Sequence, residues 1–286
     1  MQKLIPLLLT LALTLLTACD IADLEIPSNT ETALEINGTI FSNQETSEND
    51  ITPYIDSHGK LAFYVRQTNC SYQTGVSIEE SNDYTATATQ IEDRLLVFFT
   101  RSRYTATKTL DAAIFTPNSN DAIYYQIPLK HETAVYNLFC NFTDQSNGFL
   151  FVFSGENEYS FDLYKTADGG ESWQYTSNAN GATAHWRDFP TAAKFASESV
   201  GLVSYRYTSI ENVSDRTYLT DDGGKTWFKL PSLPYPANTE IGYVEITNFT
   251  YLNEEYTIKA IFYTANGNDT ELQFVSSDLE KWTLKK

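Results

Sequence analysis

Residues 164–173 read YKTADGGESW and residues 218–227 read YLTDDGGKTW, the same decapeptide plan written twice, 54 positions apart. Each copy has a short apolar run before it and a strand-like segment after it, so the unit repeated is larger than the decapeptide. An aspartate at the first turn position accepts hydrogen bonds from N–H groups two residues on. Gly170 and Gly224 supply the positive φ of a tight reversal. Thr166 and Thr220 add hydroxyl bonds, and Trp173 and Trp227 open the outgoing strand with their rings under the turn. On this reading the doubled stretch is a structural staple, and changing Asp168 or Asp222 removes turn contacts, not chemistry.

The apolar residues elsewhere fall in short runs of aromatic and β-branched types: LAFYV at Leu61, LLVFF at Leu95, FLFVF at Phe149, GLVSY at Gly201 and IKAIFY at Ile258. No sustained 3.6-residue period appears after the N-terminal segment, so the body reads as all-β. The runs from Leu95 onward recur every 52 to 57 residues, and each is followed by a second strand and a hairpin. A period of that length, holding about four short strands, is the size of a propeller blade.

The two full copies, Thr166-Ala-Asp168-Gly-Gly170-Glu-Ser172-Trp173 and Thr220-Asp-Asp222-Gly-Gly224-Lys-Thr226-Trp227, resemble the Asp-box, or BNR repeat, of sialidase-like β-propellers. Ser276-Ser-Asp278-Leu-Glu-Lys-Trp282 resembles a shortened third copy. The resemblance implies a β-propeller in which each box joins the last two strands of a four-stranded blade, on the face away from the ligand. FTPNSNDAIYY from Phe115 and VSIEESNDYT from Val76 occupy equivalent places without the Asp or Trp. Five blades follow, at 46–88, 89–130, 131–180, 181–235 and 236–286, with a compressed six as the alternative.

The chain begins with Lys3 and an apolar run from Leu4 to Ala18, about 15 residues and short of the roughly 20 a spanning helix needs. It reads as an export signal over residues 1–18. LTAC at 16–19 resembles the bacterial lipobox, which implies acylation of Cys19 and attachment to a membrane through that lipid. Residues 19–45 read as a polar tether with one strand in ALEINGTIF, and residues 46–286 as the propeller. Asp20 after the lipidated cysteine resembles the signal that retains lipoproteins at the inner membrane, on its periplasmic face.

The chain carries a formal charge of −18, which becomes −19 once the segment holding Lys3 and no acid is removed. Such a surface repels nucleic acid. Cys70 and Cys140 are the two cysteines left after Cys19, and a disulfide between them suits an oxidising compartment. Three scattered histidines, His58, His131 and His185, show no metal-ligand spacing, and no cofactor motif is present.

Sialidases of this resemblance use three arginines for the substrate carboxylate, a Tyr–Glu nucleophile pair and an aspartate acid/base. They also carry an arginine in an [FY]-R-I-P stretch before the first box. None of the seven arginines here lies in such a stretch, and no catalytic residue stands out among the acids. The expectation is therefore a binding or assembly module of the cell envelope that takes a protein or glycan partner and is not an enzyme. The alternative is a glycoside hydrolase on the same scaffold, sialidase-like or like the five-bladed glycosidases. The loops opposite the boxes carry Trp186, Arg187, Arg206, Tyr207 and Tyr235, large amphipathic residues of the kind that dominate contact surfaces.

Overall fold

The computed structural model describes residues 51–66, 70–78, 84–116, 122–155, 159–179, 189–205, 216–234, 241–264 and 269–285. Cys19, the tether and its expected strand lie outside the described residues. Among those described, 19 strands form five antiparallel sheets, four of four strands and one of three.

Sheet 1 holds β1 (Ile51–Ile55), β2 (Lys60–Val65) and β3 (Cys70–Ser77). Sheet 2 holds β4 (Thr85–Ile91), β5 (Arg94–Thr100), β6 (Thr107–Phe115) and β7 (Ala122–Thr133). Sheet 3 holds β8 (Val135–Phe142), β9 (Gly148–Gly155), β10 (Tyr159–Thr166) and β11 (Gln174–Asn178). Sheet 4 holds β12 (Pro190–Phe195), β13 (Gly201–Tyr205), β14 (Thr217–Thr220) and β15 (Phe228–Lys229). Sheet 5 holds β16 (Ile241–Leu252), β17 (Glu255–Thr264), β18 (Thr270–Ser276) and β19 (Thr283–Leu284).

Within every sheet the strands pair in chain order. Consecutive sheets meet through their first strands, β1 beside β4, β4 beside β8, β8 beside β12 and β12 beside β16. The architecture is thus all-β and propeller-like. No helix of the described residues is long and apolar enough to cross a membrane.

The second strands show why the sequence runs are apolar without alternation. All eight residues of β9 are buried, as are six of the seven in β5, because each lies between two neighbouring sheets and has no solvent face. Phe149, Phe151 and Phe153 pack toward sheet 4 against Phe195 and Tyr205, while Leu150 and Val152 pack toward sheet 2 with Leu96 and Phe98. The Phe149 and Phe195 rings stack at 3.7 Å. In β17, by contrast, Ile258, Ala260 and Phe262 are buried against sheet 4 and Thr257, Lys259, Ile261 and Tyr263 are half-buried. One face of sheet 5 is therefore polar.

The quoted stretches form the expected turns between β10 and β11 and between β14 and β15. Thr166 Oγ1 donates to Asp168 Oδ1 (2.6 Å) and accepts from Gly170 N (3.0 Å), and Asp168 Oδ1 accepts from Ser172 N (2.9 Å). The second copy repeats this with Thr220, Asp222, Gly224 and Thr226 at 2.8–2.9 Å. Ser276 and Asp278 make the same contacts between β18 and β19, where Leu279 takes the positive φ (64°) that glycine takes in the other two.

These turns also join sheets, a role the sequence did not suggest. Gly170 lies directly under Leu96 of sheet 2, and Gly224 under Leu163 of sheet 3. The Gly170 carbonyl accepts from Tyr125 Oη (2.5 Å) and Trp173 Nε1 (3.1 Å), and the Gly224 carbonyl accepts from Ser177 Oγ. Asn141 bonds both backbone groups of Phe195 (2.8 and 2.9 Å), and Lys194 Nζ donates to Asn248 Oδ1 (2.8 Å), each pair again 54 residues apart.

Four expectations need correction. Sheet 1 has three strands, not four, among the described residues. The second unit starts at Thr85, not residue 89, because TATATQI pairs fully with RLLVFFT as an innermost strand of small residues. Trp173 and Trp282 are buried with their indole N–H groups bonded to turn carbonyls, but Trp227 is only half-buried. It leans on Phe151 and Phe195, and its buried Nε1 has no partner. Finally, Cys70 lies in sheet 1 and Cys140 in sheet 3 as separate thiols, and no disulfide joins them.

Candidate functional site

Because the Thr–Asp turns close one end of the sheets, the ends at which β9 meets β10, β13 meets β14 and β17 meets β18 lie at the other. Trp186, Arg187, Arg206, Tyr207 and Tyr235 lie outside the described residues. Thr166, Asp168, Gly170, Trp173, Thr220, Asp222, Gly224, Trp227, Asp278 and Trp282 all stand at the turn end, where their bonds are structural. Burial would raise the Asp168 carboxyl. It is outweighed by the Ser172 and Thr166 hydroxyls and the backbone N–H groups of Ser172 and Glu171, which bring it down to about 2. Asp222 is likewise lowered to about 2, against burial, by Thr226, Thr220 and Lys225. Carboxylates held this firmly in the charged form serve neither as acids nor as bases near neutrality.

At the opposite end, sheet 5 assembles an acid–base group. Its first two strands pair from Ile241↔Thr264 downward, with Tyr243↔Tyr263 and Glu245↔Ile261. Glu245 and Tyr263 thereby share the polar face of the sheet, since Ile246 and Phe262 beside them point into the core shared with sheet 4. Tyr263 Oη donates to Glu245 Oε2 at 3.0 Å. Burial, the hydrogen bond to Glu245, and the negative charges of Glu245 and Asp269 all push the Tyr263 phenol up. Asp269 directly precedes β18, whose Thr270 pairs with Phe262, so the two carboxylates flank the phenol.

Chemically, Glu245 is placed to take the Tyr263 proton as the phenolic oxygen attacks an electrophile, and Asp269 is a carboxyl within electrostatic reach for proton donation. The sequence reading missed this trio. Its members are three among 37 acids and 19 tyrosines, and only the register of β16 on β17 brings Glu245 to Tyr263. The alternation in YVEITNF, with Glu245 on the polar side, was the available signal. Among the described residues no three His, Cys, Asp or Glu side chains group as they would around a metal ion.

No family model and no curated protein matches the chain. Among solved structures it is similar to a Hadza microbial sialidase, Hz136, at 9% identity, covering 79% of this chain and 54% of that one, with a TM-score of 0.45. It is similar to a GH74 enzyme of Niastella koreensis at 12% identity, covering 82% and 44%, with a TM-score of 0.40. The six-bladed β-propeller lectin of Aleuria aurantia matches at 12% identity, covering 82% and 72%, with a TM-score of 0.47. The chain thus spans about half the length of the first two. The likeness is that of a β-sheet-rich domain to several carbohydrate-active propeller folds. Glycosidases, polysaccharide lyases and lectins all stand among the matched structures, and the expectation of a non-enzyme does not stand.

Proposed function

We propose that the protein is a glycoside hydrolase acting on extracytoplasmic glycans, built as a five-bladed propeller of the Asp-box class and anchored by lipid on Cys19. The single observation that carries the reading is the hydrogen bond from Tyr263 to Glu245 with Asp269 beside it. These are the residue types that the sialidase-like resemblance implies, a Tyr–Glu pair and an aspartate, on an end of the sheets away from the structural turns. In the reaction the Tyr263 oxygen bonds to the anomeric carbon while Glu245 accepts its proton. Asp269 protonates the departing glycosidic oxygen, and water then releases the sugar from the tyrosine with Asp269 as base.

Arg101 is paired with Asp111 at 3.2 Å, and Arg103 Nε lies 3.5 Å from Thr85 Oγ1, both arginines being in the β5–β6 connection. The reading is therefore of glycoside hydrolysis in general, without commitment to sialosides.

The test is turnover of a panel of fluorogenic glycosides and polysaccharides by the intact chain and by Tyr263→Phe, Glu245→Gln and Asp269→Asn. Turnover should fall by about 10²-fold or more in each variant, given what positioned proton transfer contributes. A fluorinated glycosyl inhibitor should leave its mass on the peptide holding Tyr263. Full activity in Tyr263→Phe, or no turnover of any substrate by the parent chain, would overturn the assignment.

A further inference from the structure

Between sheets 2 and 3 the packing changes character along β10. Tyr164 is buried in the apolar cluster with Leu150, Val152 and Phe98. Two residues earlier, on the same face, stands Asp162, only 5% exposed. Ser160 Oγ and Asn178 Nδ2 donate to its Oδ1 at 2.9 and 3.1 Å, and Asn178 Nδ2 also reaches Ser160 Oγ at 2.6 Å. Its other oxygen, Oδ2, has no partner among the described residues. Across the gap β7 brings Lys130, whose Nζ donates to Tyr175 Oη (2.8 Å) and lies 4.3 Å over that ring. Lys130 and His131 both stand close enough to Asp162 to favour its charged form, against the burial that pushes its carboxyl up.

The fold does not require this carboxylate. Counting back from the turn threonine or serine, the same place is Arg216, directly before β14 of sheet 4, and Leu272 in sheet 5. Burying a carboxyl in place of leucine costs stability unless something completes its bonding. An anion would meet Asp162, and a free cation would meet Lys130 and His131. A hydroxyl suits both sides, because it donates to Asp162 Oδ2 and accepts from one of the two Lys130 N–H groups not used by Tyr175.

We propose that the group formed by Lys130, Ser160, Asp162 and Asn178 binds a neutral carbohydrate through its hydroxyls, as a site separate from the Tyr263 group on sheet 5. The inference stands on the sheet 2–sheet 3 geometry and not on the hydrolase reading. Saturation-transfer NMR of the intact chain with methyl glycosides of the neutral hexoses tests it, in the parent, Asp162→Leu and Tyr263→Phe. At least one glycoside should bind the parent and Tyr263→Phe equally and lose about tenfold or more in affinity in Asp162→Leu, the size expected for a hydrogen bond to a charged group. Asp162→Asn, nearly isosteric, keeps the comparison open should the leucine variant not fold. Binding lost in Tyr263→Phe but kept in Asp162→Leu or Asp162→Asn would place the sugar on sheet 5 and overturn the proposal. So would saturation by none of the glycosides, which would leave the group a purely structural network, or binding of glucuronate in preference to all of them.

Discussion

Replacing Gly170 with alanine isolates what the doubled turn contributes to the joining of sheets. Gly170 has φ of +92°, and a Cβ there would collide with Leu96 Cδ2 of the preceding sheet. Holding alanine at positive φ costs about 1–2 kcal/mol, and overpacking against a buried leucine about 1–3 kcal/mol, so the loss should be about 2–5 kcal/mol. At about 2–4 °C per kcal/mol for a domain of this size, melting should fall by roughly 5–20 °C. Gly59 supplies the control, since its φ is +72° but nothing lies within 4 Å of the Cβ site. Gly59→Ala should therefore lose only the backbone part, about 1–2 kcal/mol. Leu96→Ala removes the obstructing methyl at its own cost of about 2–5 kcal/mol. The double variant Gly170→Ala/Leu96→Ala should be less damaged than the sum of the singles, by about 1 kcal/mol or more. Urea unfolding of the four variants measures all these terms. If Gly170→Ala cost no more than Gly59→Ala, or the two changes at the 170–96 contact simply added, the turn would not be an inter-sheet clamp.

Asp168→Ala and Asp222→Ala should each cost about 1–3 kcal/mol through unpaired turn N–H groups, with turnover falling only with the folded fraction; intact stability with abolished turnover would make the turns functional. Because the folded carboxyls of Asp168 and Asp222 sit at about 2 against an ordinary 3.8, the stabilisation they give is complete above about pH 4 and lost as pH falls toward 2. Acid titration of melting should therefore be shallower in the Asp168→Asn/Asp222→Asn variant than in the parent, and parallel curves would contradict this. Alkylation in denaturant without reductant should label both Cys70 and Cys140, whereas an unlabelled pair would reveal a disulfide. Cys19→Ser should release the protein from membranes or stall its processing, and unchanged partitioning with a mature N-terminus elsewhere would remove the lipid anchor.

The sequence by itself determined the local structure, because each of its signals is short-range. The aspartate, glycine and tryptophan of a turn lie within eight residues, and an apolar run is legible wherever a strand is buried on both faces. Hence the strands, the three turns and the 54-residue period could be read directly. Weakly apolar strands could not: TATATQI carries no run, and its place against the neighbouring first strands is what makes it β4. Tertiary structure alone decided everything that depends on register or on facing sheets. Glu245 and Tyr263 are 18 residues apart and meet because β16 pairs with β17 in one register, with two irregularities in their ladder. Asp162 and Lys130 lie in different sheets, and nothing in YSFDLYKT distinguishes a buried carboxylate from a solvated one. The disulfide expectation failed for the same reason, since pairing needs a distance and composition supplies only a compartment. Local chemistry fixes which elements form, whereas a site is a coincidence of elements, and the packing of one sheet on the next decides which side chains coincide.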